Sequence, residues 1–349
     1  MGMISEMESV RTFCIIVLAV VLPLGVFVAL VTLPVFHWLP PGVIFSSLEH
    51  TDIQGDNTNR HSSWGYGIIQ SVKELLPKEW GKKYVDCDGS HQSPINFDSR
   101  YIVNNSLLTE VEFINYAQRP RDSIWTATNN GHTVQFTADF DAVPYVTSGG
   151  LENGKYYFRQ FHYHWGSNDS YGSEHAINGR RFPIELHLVH VRNASDSSPY
   201  KVAVVGIFAD VVDDNVNRTE EQEKLQEIRS MVEAAQSVRE SGSTKQVYVP
   251  GFTLLKFLPK KRQFFRYYGS LTTPPCTQLI QWTVMANPIK ISKTMLKIFR
   301  QVIAHSPPEL VTNSDHDPHW LNRDEEKFLV NNFRPIQSTK GRVINYFAG

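Results

Sequence analysis

The chain has 349 residues, 41% hydrophobic and 20% charged, the make-up of a packed globular protein rather than a disordered or fibrous one. Lys and Arg (34) balance Asp and Glu (35), so a net charge of -1 leaves no basic field to hold a nucleic acid. Three cysteines cannot build a disulfide scaffold or a Cys-rich zinc module, whereas thirteen histidines are an ample supply of metal ligands.

No Asp, Glu, Lys or Arg occurs from Thr12 to Leu48, and Phe13 to Phe36 is almost entirely apolar. A run of that length spans a bilayer, for which about 20 residues suffice. The expectation is an uncleaved signal anchor over residues 12–36, one transmembrane helix in which Pro23, Gly25 and Pro34 are tolerated; the alternative is a buried core helix. Arg11 precedes the run and the next basic residue is Arg60, which keeps residues 1–11 cytosolic and predicts a type II single-pass protein with its bulk extracellular or lumenal. Four glycosylation sequons, at Asn104, Asn168, Asn193 and Asn217, agree with that orientation. Residues 37–62, with Pro40, Pro41 and Gly42, read as a stalk. Of the cysteines beyond the apolar run, Cys87 and Cys276, an oxidising compartment favours a disulfide over two buried thiols.

Residues 63–349 carry no repeat, low-complexity tract or linker, so one domain is expected there. Runs of β-branched and aromatic residues punctuated by Gly, Asn, Asp and Pro predict strands at Val111 to Tyr116, Thr133 to Phe136, Tyr156 to Trp165, Ile184 to Val191, Val202 to Val211 and Gln278 to Val284. A helix is predicted from Thr219, where Thr219 and Gln222 form a capping box and Leu225, Ile228 and Val232 a single apolar stripe. Lys293 to Ile303 reads as a second helix. The fold class is mainly β, α+β in detail.

Five histidines fall between His162 and His190. His162 and His164 are two apart on a predicted strand, so they point to one face with about 6.6–6.8 Å of rise between them. On the next predicted strand Glu185, His187 and Val189 share a face and His190 takes the other, so His187 alone joins the pair without a kink. Three neutral imidazoles suit zinc and leave a fourth position open for water, whose acidity rises until hydroxide forms near neutral pH. The plainer reading is three half-buried aromatic rings with one hydrogen bond each. Gln160 and Glu185 are placed to accept the second N–H of such ligands.

Trp64-Gly65-Tyr66, Gln92-Ser93-Pro94-Ile95, Asn129-Asn130-Gly131-His132, Gln160 to Gly166, Gly172-Ser173-Glu174-His175, Glu185 to His190 and Ser270-Leu271-Thr272-Thr273-Pro274-Pro275 occur in the order seen in the alpha-class carbonic anhydrases. The resemblance runs from about Ser63 to Ile344 and implies a large twisted, mostly antiparallel central sheet with peripheral helices and a conical cleft with zinc at its base. It implies His162, His164 and His187 as ligands, and Thr272, held by Glu174, as the group that orients zinc-bound hydroxide for attack on carbon dioxide. Val189, Val204, Leu271 and Trp282 match the apolar wall for that uncharged substrate, with Ile280 extending it. Thr273 also matches the substrate site, and Tyr66, Asn130, Gln135 and Gln160 a facing polar wall that orders water. His132 matches the proton shuttle, and Cys87 with Cys276 the disulfide of secreted and membrane-bound members. The implied partners are carbon dioxide, bicarbonate and a membrane. Two competing expectations are a catalytically silent cell-surface recognition domain of the same family and a zinc esterase.

Overall fold

Ile184–Val191 is buried at every position, the signature of a strand covered on both faces, and the sheet is organised around it. The computed structural model describes residues 16–22, 25–31, 64–68, 74–152, 154–192, 199–214, 219–304 and 328–349. The chain divides into two units, Met1–His61 and Ser62–Gly349, each taken by itself.

In the first unit β1 (Ile16–Leu22) and β2 (Gly25–Val31) pair antiparallel, from Ile16 opposite Val31 to Leu22 opposite Gly25. The helix expected over residues 12–36 is therefore corrected to a strand pair where the backbone is described. Ile16, Val17, Val20, Val21, Val26, Val28 and Val31 are β-branched and favour the extended backbone, and Pro23 denies a helix one of its N–H donors. No helix among the described residues is long and apolar enough to cross a membrane. Residues 1–11 and the expected stalk at 37–62 lie outside the described residues.

The second unit begins with short strands, β3 (Asn96–Phe97), β4 (Ile102–Asn104) and β5 (Val111–Ile114). Next come β6 (Ile124–Asn129), β7 (Val134–Thr137), β8 (Tyr145–Ser148) and β9 (Tyr156–Trp165). After β10 (Ala176–Ile177) follow β11 (Ile184–Val191), β12 (Val202–Val212) and β13 (Thr244–Tyr248). The last are β14 (Phe264–Ser270), β15 (Gln278–Ser292) and β16 (Ile344–Phe347). Twelve of these form one sheet in the order β13-β6-β7-β9-β11-β12-β15-β14-β16-β4, with β8 also against β9 and β5 against β8. Its pairings are antiparallel except β12 with β15 and β16 with β4. The mostly antiparallel central sheet expected above is what the fold contains.

The sequence reading passed over β6 and the aromatic, largely buried β14 as well as several short or polar strands; of the latter, β13 is exposed at nearly every position and takes its place by pairing with β6, a decision made by tertiary contact and not by propensity. Helix α1 (Thr219–Ala234) buries Leu225, Ile228 and Val232, the predicted stripe; the side chains of its capping pair, Thr219 and Gln222, lie outside the described residues. Helix α2 (Lys293–Phe299) is shorter than expected. Ser292 caps it by accepting from Met295 N, and beyond Phe299 the chain tightens until Ile303 bridges to Phe328.

Two features of the central strands position the site. Register aligns Gln160, Val189, Val204 and Trp282 in one row across β9, β11, β12 and β15, and His162, His187, Gly206 and Val284 in the next. Between these rows and the strand end, β9 carries a bulge: Gln160 faces Val189 but Phe158 faces His190, so Arg159 is an extra residue. The opposite face of the sheet packs an aromatic core in which Phe161 meets Trp125, Phe136 and Phe257 at centroid distances of 5.4, 4.9 and 5.0 Å.

Candidate functional site

Strand alternation brings His162 and His164 of β9 and His187 of β11 to one face, with a ligand nitrogen from each within 4.8 Å of the others. Ring centroids lie 5.1 Å apart for His162 and His164, 5.2 Å for His162 and His187, and 4.6 Å for His164 and His187. His190 turns to the other face, as alternation requires, and bonds through Nε2 to the Tyr116 hydroxyl at 2.5 Å.

Each of the three rings has its rear nitrogen committed to an oxygen acceptor. His162 Nδ1 donates to Gln160 Oε1 at 2.9 Å, His164 Nδ1 to the Asn332 carbonyl at 2.7 Å, and His187 Nε2 to Glu185 Oε1 at 2.8 Å. With those nitrogens protonated, the lone pairs sit on His162 Nε2, His164 Nε2 and His187 Nδ1. Burial, reinforced by the neighbouring histidines, pushes the pKa of His162 well below the usual histidine value, and burial lowers that of His164. Neutral rings are the form that binds metal. His164 Nε2 is buried without a hydrogen-bond partner, an uncompensated acceptor of the kind a metal ion satisfies. Three convergent imidazole nitrogens fit the three-His set of a catalytic zinc site.

Glu185 is fully buried and would be costly without donors. Burial alone would raise its pKa; bonds from His175 and His187 outweigh that and hold it well below the ordinary carboxylate value. Its Oε1 also meets His175 Nδ1 at 2.7 Å, and its Oε2 accepts from the backbone N–H of Glu174 and His175 at 2.9 and 2.8 Å. His175 Nε2 continues to the Tyr267 hydroxyl at 2.6 Å, and Tyr267 to Ser93 Oγ at 2.7 Å. Gly206, opposite His187, leaves room here: a Cβ would come within 3.2 Å of Glu185 Oε1 and 3.3 Å of Val284.

Glu174 is also fully buried. Its Oε1 accepts from Arg334 N at 2.8 Å, while Oε2 has no hydrogen-bond partner and lies 3.4 Å from His164 Nε2 and 3.9 Å from His187 Nδ1. The bond to Thr272 implied by the family pattern is therefore not made through that oxygen, which faces the imidazoles instead. Thr272 is buried in the loop between β14 and β15. That loop is closed by Leu271 N to Thr277 O and Cys276 N to Thr273 O, and tied by the Cys87–Cys276 disulfide, with Cα atoms 4.9 Å apart. Arg334, itself buried, donates to Gln92 Oε1, the Ser93 carbonyl and the Cys87 carbonyl, joining the disulfide region to the segment that holds Glu174.

Val189, Val204, Ile280 and Trp282 are buried and Leu271 half-buried; the Trp282 ring lies 4.8 Å from that of His187. Thr273 is half-buried. Gln135 pairs with His162 in register. Asn130 is exposed and its Oδ1 accepts from the N–H of His132 and Thr133, which fixes the turn presenting His132. His132 stacks on Trp64 with centroids 3.7 Å apart and planes 13° from parallel. The Tyr66 hydroxyl is buried without a partner, and burial followed by the Glu174 charge raises its pKa well above the usual tyrosine value. Asn104 and Asn168 are exposed; Asn193 and Asn217 lie outside the described residues.

Four residues of this region escaped the sequence. The Asn332 carbonyl and the Arg334 N–H are backbone groups, which carry no residue-type signal, and Tyr267 acts only through His175. Arg159 escaped because its direction depends on the bulge.

Residues 75–348 match the family described as eukaryotic-type carbonic anhydrase. Carbonic anhydrase 7 of Homo sapiens is 36% identical over 292 residues, 81% of this chain and 97% of the relative. Putative carbonic anhydrase 3 of Caenorhabditis elegans is 37% identical over 259 residues, 73% and 89% of the two chains, and carbonic anhydrase 12 of Homo sapiens 32% identical over 274 residues, 76% and 69%. Sheet, histidine cluster and similarity agree: the chain belongs to the eukaryotic-type, alpha-class carbonic anhydrase family, enzymes that interconvert carbon dioxide and bicarbonate.

Proposed function

We propose that the chain is a zinc-dependent carbonic anhydrase, with His162, His164 and His187 as the metal ligands, acting on the extracellular or lumenal side of a membrane. The observation that carries the reading is the set of three inward nitrogens whose rear partners, Gln160, the Asn332 carbonyl and Glu185, fix each ring's tautomer and orientation. Zinc, when bound, supplies Lewis acidity that makes water acidic near pH 7.

The chain's own residues supply the rest. Val189, Val204, Leu271 and Trp282 give uncharged carbon dioxide an apolar surface beside the ligands, and Thr273 adds a polar contact. Thr272 orients the attacking oxygen, a positioning effect to which Glu174 contributes once its unpaired Oε2 turns from the imidazoles to accept the Thr272 hydroxyl. Tyr66, Asn130 and Gln135 order water between the ligands and His132. His132, half-buried at the rim and stacked on Trp64, hands the released proton to buffer. Zinc content and carbon dioxide hydration measured on the purified chain test the reading. Near-stoichiometric zinc and turnover far above buffer are expected, and both should be lost in His187→Ala. Full zinc in that variant, or a zinc-free wild type at buffer-level turnover, overturns it.

The compartment belongs to the same proposal. The Cys87–Cys276 disulfide, the four sequons and the uncharged run from Thr12 to Leu48 support an oxidising, membrane-attached location. Alkaline extraction of membranes should leave the full chain in the pellet and glycosidase should lower its mass; release into the supernatant at unchanged mass contradicts the assignment.

A further inference from the structure

Arg159 has no place in the reading above, yet the fold gives it a definite direction. Phe158 and Phe161 are three apart in sequence, which simple alternation would put on opposite faces. Both are buried in the same core, with ring centroids 6.4 Å apart. The bulge opposite Val189 explains this, and it leaves Arg159 and Gln160 together on the other face, where Gln160 holds His162. Arg159 thus lies on the histidine-bearing face of the sheet, next to a residue that touches a candidate ligand and across from Val189.

Its surroundings are unusual for a cation. The side chain is half-buried, its Nε is buried with no hydrogen-bond partner, and burial alone, with no carboxylate opposing it, lowers its pKa. A partly desolvated guanidinium without an anion is costly, and its planar fork of N–H donors matches a small oxyanion. The reaction has one neutral and one anionic carbon species. A charge attracts bicarbonate and leaves carbon dioxide indifferent, so the same wall can treat the two differently.

We propose that Arg159, turned into the cleft by the β9 bulge beside Gln160 and opposite Val189, forms an oxyanion subsite that binds bicarbonate. The inference rests on the proposed reading of the histidine face as the active site. Arg159 acts as a specificity-determining residue for the anion and takes no part in bond making.

Calorimetric titration of bicarbonate into the zinc-loaded full chain tests this in wild type, Arg159→Leu, Arg159→Gln and Arg159→Lys, with zinc content read on the same samples. Loss of one partly screened charge should weaken binding about five-fold in the Leu and Gln variants, and Lys should retain part of the affinity. The gap should narrow as salt rises from about 0.01 M to 0.15 M, because the Debye length falls from about 30 to 8 Å. Equal affinities in wild type and Arg159→Gln, or a gap indifferent to salt, overturn the subsite while leaving a full zinc content and the metal reading intact. A zinc-free wild type whose bicarbonate affinity still falls on losing Arg159 supports the subsite and overturns the metal reading.

Discussion

The two faces of β9 and β11 are built from alternate residues of the same strands and solve burial in opposite ways. On the core face Phe158, Phe161, Tyr163, Leu186 and Leu188 are held mainly by apolar packing, with His190 paired to Tyr116 and the Tyr163 hydroxyl buried without a partner. On the cleft face Gln160, His162, His164, Glu185 and His187 are polar, and the network that satisfies them leaves inward nitrogens unspent. Packing is non-directional and tolerates slow change in shape. A buried polar network is directional, and loss of one member strands the others. Substitutions on the first face should therefore be read in stability, and on the second in metal binding and rate.

The sharpest way to break this contrast is Phe161→Ala. It should cost about 3–5 kcal/mol of unfolding free energy through lost transfer and a cavity, measured by urea denaturation; a loss confined to zinc affinity would show the faces are not separable. His132→Ala, at the cleft rim, should slow hydration about 100-fold in weak buffer with stability unchanged, and added imidazole should restore the rate. No recovery would deny the rim histidine its proton-handling role. Glu185→Ala should lower zinc affinity about 10–100-fold by freeing the His187 ring, followed by competition with a chromophoric chelator; undiminished affinity would reduce that network to packing.

The smallest effect concerns pH. Burial pushes the pKa of His190 down to about 3, so the folded state keeps this ring neutral while the unfolded chain takes up a proton near pH 6.5. The stability it contributes is full above pH 6.5 and is lost as pH falls toward 3. Between pH 6.5 and 5 the loss should be about 1–2 kcal/mol, and His190→Gln, which cannot titrate, should flatten that part of the curve. An unchanged slope in the variant would mean that other groups set it.

Legibility followed the range of the interactions involved. Strands with dense β-branched and aromatic runs, Tyr156–Trp165 and Ile184–Val191, were readable with their boundaries, because the first buries one face along its length and the second both, which such residues satisfy. The polar edge strand Thr244–Tyr248 was not, because its partner Ile124–Asn129 stabilises it and its own sequence does not. Length and lack of charge point to a helix in the apolar run near the N-terminus, whereas its described part pairs as strands, a choice for which β-branched residues and a mid-run proline give local grounds. Among site residues the His-x-His spacing, His187 and its Glu185 partner were legible from period alone. Thr272 and Glu174 were legible only as motif matches, and Glu174 Oε2 lies 3.4 Å from His164 Nε2 without a hydrogen-bond partner.

What the sequence determined by itself is a set of side chains and the face each strand shows, because alternation is a property of the extended backbone. Only the tertiary structure decided which strands are neighbours, and with that the row that puts His187 beside His162 and Trp282 beside Val204. It also decided the backbone groups of Asn332 and Arg334, brought from over 150 residues away to hold His164 and Glu174, and the single extra residue that turns Arg159 toward the cleft. Those depend on register and chain return, which arise from the summed packing of a whole sheet and leave no mark on the local choice of residue.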